Sequence, residues 1–151
     1  MMRKSTFDSL SPKLQQIISD FPNLIFKRGP RFTFRPPNII ILGPKTDHYE
    51  LLTLHEIGHA LSKHRNYKTH LQLLKMETEA WQRAKPLAQK YNIKYDESLV
   101  ESHLDTYRDY LYSQTTCPHC GNYCIESSTG KLFCPFCQQF SAPPKNPKKQ
   151  P

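Results

Sequence analysis

Leu14, Ile17 and Ile18 recur at helical spacing behind Ser11-Pro12, an N-cap residue followed by proline at the first helical position. That pattern predicts a short helix ending near Asp20. Three brief apolar runs follow, at residues 24–26, 32–34 and 39–42, rich in β-branched and aromatic side chains. Gly29-Pro30 and Pro36-Pro37-Asn38 punctuate them, so they read as strands of a small sheet. Residues 51–64 read as one continuous helix, and Asp47-His48-Tyr49-Glu50 fits a capping box at its start, with Asp47 as the N-cap. A second long helix is predicted over about residues 69–91, with Pro86 as a point for a kink. A third begins near Asp96 and sets Val100, His103, Leu104, Tyr107 and Leu111 on one stripe. There is no internal repeat. The fold class expected is α+β.

Composition adds bounds. A chain of 151 residues suits one compact domain with a small appendage. No apolar run approaches the ~18 residues of a membrane span, and the basic N-terminus is followed by no apolar stretch of signal-peptide length. No membrane association and a cytoplasmic location are expected. Part of the net charge of +8 sits in residues 141–151, where Lys145, Lys148 and Lys149 alternate with prolines. Such a tail cannot bury a core and is expected to be disordered. It is either solubilising or a contact for nucleic acid and other acidic partners.

All five cysteines, Cys117, Cys120, Cys124, Cys134 and Cys137, lie near the C-terminus. Their odd count and Cys-x-x-Cys spacing point to metal rather than disulfides. Cys117-Pro118-His119-Cys120 and Cys134-Pro135-Phe136-Cys137, thirteen residues apart, look like the two knuckles of a zinc ribbon. Four thiolates would close that site around a structural zinc, on which so small a module depends to fold. Cys124 is left as a packed thiol or an alternative ligand. Tyr123, Phe133 and Phe140, with Lys131, suit nucleic-acid stacking and phosphate contact, or simply the ribbon's own core.

His55-Glu56-Ile57-Gly58-His59 carries the chemistry. Two histidines four apart on a helix project from one face and can share a metal ion, while the glutamate between them is rotated aside, where it can act as a base. A catalytic zinc takes a third protein ligand and keeps one position open. His64, His70, Glu77 and Glu79 are the candidates. At helical phase Leu73, Leu74, Ala80, Trp81, Ala84 and Ala88 fall within roughly 60° of Glu77, which puts this carboxylate at the centre of an apolar stripe. Glu79 falls among Lys75, Gln82 and Arg83 on a solvated face. Glu77 is therefore the expected third ligand, against the plainer reading of a buried salt bridge. His64 lies about 140° round the helix from His59, outside the site's reach. The metzincin places for glycine and a third histidine hold Ser62 and Arg65. His64 and His70 are expected at the surface or as caps.

Residues 54–61 together with Glu77-Thr78-Glu79-Ala80-Trp81-Gln82-Arg83-Ala84 resemble the ImmA/IrrE-type minimal gluzincin metallopeptidases. The resemblance covers about residues 32–91. It implies a zincin-like core of a small sheet and three to four helices, with the first glutamate of a Glu-x-x-Ala-x-x-x-Ala segment, here Glu77, as third zinc ligand. Trp81 departs from the small polar residue of that segment, so the pattern does not name the group that orients the histidines.

The resulting expectation is a zincin-like metallopeptidase domain over residues 1–115, a zinc ribbon over 116–140 and a disordered basic tail over 141–151. One catalytic zinc would be held by His55, His59 and Glu77 and one structural zinc by Cys117, Cys120, Cys134 and Cys137. Glu56 would be the general base of peptide-bond hydrolysis on a protein or peptide substrate. Tyr107 and His103 are candidate oxyanion donors, with core packing as the plainer role. Residues 39–42 would be an edge strand that pairs with extended substrate. The alternatives are a SprT-like DNA-associated protease with His70 as third ligand, and a non-catalytic zinc-ribbon module that binds nucleic acid or protein.

Overall fold

Ser11 caps the first helix as its sequence predicts. In the computed structural model, which describes residues 10–141, its Oγ accepts the Leu14 N–H at 3.2 Å and Pro12 opens α1 (Pro12–Asp20). The same hydroxyl donates to Glu50 Oε1 at 2.8 Å. The basic N-terminus and, apart from Ser141, the tail lie outside the described residues. Among the described residues the fold is a small α+β arrangement of four helices and two three-stranded sheets. It divides into two compact units, Met1–Arg65 with Glu79–Tyr95, and Asn66–Thr78 with Asp96–Pro151.

The first unit holds α1, the sheet built from β1 (Ile25–Arg28), β2 (Thr33–Arg35) and β3 (Ile39–Leu42), α2 (Tyr49–Leu61) and the later part of α3 (His70–Lys90). The strand order is β1-β3-β2, with β1 parallel and β2 antiparallel to β3. Residues 39–42 are thus the central strand, and the expected edge position is corrected. Ile40, Ile41 and Leu42 are all buried, as an unbroken apolar run requires when neighbours cover it on both sides. Leu14, Ile17, Ile40, Leu42, Leu51, Leu54, Ile57 and Trp81 form the buried core.

The capping box expected at Asp47 does not form. His48, not Asp47, is the N-cap of α2 and makes no side-chain cap bond, and Glu50 is engaged by Ser11 instead. At its other end α2 stops at Leu61, short of His64. Lys63 adopts a left-handed φ of 54°, its N–H reaches Ala60 O at 3.0 Å, and the His64 N–H reaches His59 O at 3.1 Å. Those two bonds define a Schellman stop.

α2 passes very close to the later part of α3 at Gly58. A Cβ added there would stand 2.2 Å from the Ala80 carbonyl oxygen, so only glycine permits the approach. α3 itself runs on through Pro86, which sits on the exposed side beside Gln82.

In the second unit the start of α3 carries the capping box that α2 lacks. Thr69 Oγ1 accepts the Gln72 N–H at 3.1 Å, and Gln72 Oε1 accepts the Thr69 N–H at 3.2 Å. Glu126 adds a second cap: its carboxylate accepts the N–H groups of His70 at 3.0 Å and Leu71 at 3.3 Å, and meets His70 Nδ1 at 2.5 Å. α4 (Glu97–Thr115) starts at Asp96, whose side chain accepts the Leu99 N–H, and buries Val100, Leu104 and Tyr107 from the predicted stripe. The antiparallel sheet β4 (Ile125–Glu126), β5 (Leu132–Cys134) and β6 (Gln139–Ser141) follows.

Gly58→Ala should lower stability by about 1–3 kcal/mol, the usual cost of an overpacked core. Denaturant unfolding measures it, and an unchanged midpoint would refute the close approach.

Candidate metal centres

α2 buries both faces of its histidine motif: His55, Glu56 and His59 are all shielded from solvent, as is Glu77 on α3. One ligand atom from each of His55, His59 and Glu77 lies within 4.8 Å of the others. His55 Nε2 and His59 Nε2 are 3.2 Å apart. Two nitrogens bonded to one tetrahedral ion at 2.0–2.1 Å would sit about 3.3 Å apart, so the spacing fits a shared metal. The helix-phase expectation for Glu77 is matched by its position.

Each of the three has a distinct support. The His55 ring stacks on Trp81, with centroids 4.2 Å apart and planes at 30°. Trp81 thus packs directly on a candidate ligand. The Phe34 ring on β2 lies parallel to His59 at 6.3 Å. Glu77 Oε2 is 3.2 Å from His103 Nε2, and His103 in turn packs beside the buried Tyr107, with ring centroids 5.3 Å apart. His103 therefore faces the Glu77 carboxylate.

His64, expected at the surface or as a cap, is placed otherwise by the structure. His64 is buried, with only 8% of its surface exposed. Its Nδ1 lies 2.8 Å from His59 Nδ1 and its Nε2 lies 2.9 Å from Glu79 Oε2. An offset of about 140° holds only for a helix that continues through residue 64, whereas the Schellman stop reverses the chain and swings His64 back over the last turn. One signal was present: apolar periodicity ends at Leu61, and residues 62–66 are all polar. Glu79 is half-exposed as expected, and its carboxylate also meets His64. His70 is part of the α3 cap, held by Glu126.

The four paired cysteines form a second group, again with Sγ atoms within 4.8 Å of one another. Cys117 and Cys137 sulfurs are 3.6 Å apart and those of Cys120 and Cys134 are 3.5 Å apart, with no disulfide among them. Tetrahedral bonds of 2.3 Å would give about 3.75 Å, close to what is seen. Backbone amides at each knuckle favour thiolates. The Cys120 N–H beside Cys117 pulls its thiol down to about 6, and that of Cys137 lowers Cys134 likewise. Burial pushes Cys137 up to about 12 and Cys124 to about 11. Cys124 stands outside the four-sulfur group and is a thiol at neutral pH. Gly121 and Gln138, each one residue past the second cysteine of its knuckle, take left-handed φ of 74° and 54°. Tyr123 is exposed, with its ring 4.9 Å from that of Tyr112. The Phe140 side chain lies outside the described residues.

Among the described residues two candidate metal sites are thus present, one with three donors and one with four. Comparison with protein-family models, with curated proteins and with solved structures finds no match.

Metal analysis of the purified chain should give two ions. Glu77→Ala is expected to lose one of them, whereas His70→Ala should keep both. The reverse pattern would overturn the assignment of the third donor.

Proposed function

We propose that the protein is a zinc-dependent peptidase of the minimal gluzincin kind, with a zincin-like core and a C-terminal zinc ribbon. The observation that carries this reading is the buried convergence of His55, His59 and Glu77. Three protein donors are the count of a catalytic zinc site that keeps a position open, whereas four thiolates make a closed, structural one. A zinc ion held by His55, His59 and Glu77 would supply a Lewis acid able to acidify water and polarise a carbonyl. Glu56, in the same buried turn of α2, takes the proton of the attacking water and passes it to the leaving amine. His103 acts on Glu77, orienting its carboxylate, more readily than on an oxyanion.

Substrate pairing moves from residues 39–42 to β2. That strand is an edge of the sheet, and its Phe34 stands against His59. An extended peptide added to β2 would run past the metal ligands, held by main-chain hydrogen bonds. Residues 21–46 carry Lys27, Arg28, Arg31, Arg35 and Lys45 with no acidic residue, a surface suited to acidic peptides.

The SprT-like alternative receives less support. Its third ligand would be His70, which Glu126 holds at the start of α3. The charge is also displaced from the ribbon: residues 66–78 and 96–151 hold seven Lys or Arg against seven Asp or Glu. Nucleic-acid contact through ribbon and tail remains the competing reading of the partner. A cytoplasmic setting accords with four reduced cysteines at a metal site. Among the described residues no helix is long and apolar enough to cross a membrane.

Glu56→Gln should retain both metals and the unfolding midpoint while peptide cleavage falls at least 100-fold. Peptides N-methylated along one edge should be cleaved far more slowly than their parents. Wild-type protein that cleaves no peptide or protein when fully loaded with zinc would sink the enzyme reading. Equal cleavage of methylated and free peptides would remove the β2 pairing alone.

A further inference from the structure

Behind His59 stands a line of polar side chains that neither the metal count nor the hydrolytic role of Glu56 requires. It runs from His59 Nδ1 to His64 Nδ1 at 2.8 Å, and from His64 Nε2 to Glu79 Oε2 at 2.9 Å. One end of this line can only accept. An ionised carboxylate has no proton to give, so His64 Nε2 must carry the hydrogen between them. A neutral imidazole with its proton on Nε2 has a lone pair on Nδ1, which makes that atom an acceptor. If His59 binds a metal through Nε2, its ring proton sits on Nδ1, and the 2.8 Å contact makes His59 Nδ1 the donor and His64 Nδ1 the acceptor. The lone pair of His59 is left on Nε2, the atom that lies 3.2 Å from His55 Nε2.

We propose that His64, anchored by Glu79, is a positioning residue that fixes the Nδ1–H tautomer of His59 and aims its Nε2 at the metal. This rests on His55, His59 and Glu77 being a metal site, and is independent of which bond is cut. Burial strengthens the arrangement, because His64 is shielded from water that would otherwise compete for His59 Nδ1. The backbone makes it possible. The Schellman bonds from Lys63 to Ala60 and from His64 to His59 hold the imidazole over the final turn of α2. A metal-ligating histidine commonly donates its second N–H to a carboxylate directly. Here another imidazole is interposed, which lets the half-exposed Glu79 act on a buried ligand.

The test uses the zinc-loaded full chain and measures zinc affinity at each site by competition with a chelator. The four-cysteine site is the internal reference. His64→Phe keeps a ring but offers no acceptor, and should weaken the histidine site 10–100-fold while leaving the cysteine site unchanged. His64→Asn returns an acceptor near the position of Nδ1 and should recover part of that loss. Glu79→Ala, at the outer end of the line, should weaken the site several-fold. Nitrogen NMR of the wild-type zinc form should show the His59 proton on Nδ1. Unchanged affinity in His64→Phe, equal losses in His64→Phe and His64→Asn, or a proton on His59 Nε2 would each overturn the proposal. Wild-type protein that binds only the cysteine-site zinc would instead overturn the metal reading beneath it, before any variant is made.

Discussion

The absence of a side chain at Gly58 is the constraint from which the geometry of the histidine motif follows. Ala80 presents its carbonyl where a Cβ would stand, so α2 and the later part of α3 meet backbone to backbone. Two consequences arise from that one approach. Trp81, next to Ala80, is brought flat against His55. Glu77 lies three residues before Ala80, one helical turn away on the same side of α3. A bulkier residue at position 58 would push α2 away from the later part of α3 and draw Trp81 off the His55 ring.

The two metal groups are supported in different ways. His55, His59 and Glu77 sit on helices whose packing is dominated by large apolar side chains such as Leu54, Ile57 and Trp81. Burying the Glu77 carboxylate is costly, and His103 offsets part of that cost without any ion. The cysteine cluster has far less beneath it. Its sheet has strands of two or three residues, and Leu132 is its main buried apolar side chain among the described residues. That module leans on its thiolates and on Glu126, which reaches from β4 to the first turn of α3.

Much of this was legible in the sequence, and the failures share a cause. Ser11-Pro12, Asp96 and the paired cysteines announce structure that depends on neighbours a few residues away, and each appears where expected. Glu77 was legible because its helix is long enough for phase to identify a charged residue on an apolar stripe. The order β1-β3-β2 was not, since pairing is decided by contacts remote in sequence; the uninterrupted apolar run at residues 39–42 was the available clue. Glu50 offered a plausible local cap and was claimed by Ser11, 39 residues away. His64 was misplaced because lysine at position 63 adopts a conformation that favours glycine, so only the polar run from Ser62 hinted at the stop.

That stop makes part of the chain sensitive to length as well as identity. Between His59 and His64 the path is fixed by two backbone hydrogen bonds and a single left-handed residue. Inserting or deleting one residue there would rotate the returning imidazole by a large angle, even if every side chain were retained. The segment thus behaves as a spacer of set count, and its tolerance to change lies in composition at Ser62 and Lys63 rather than in number.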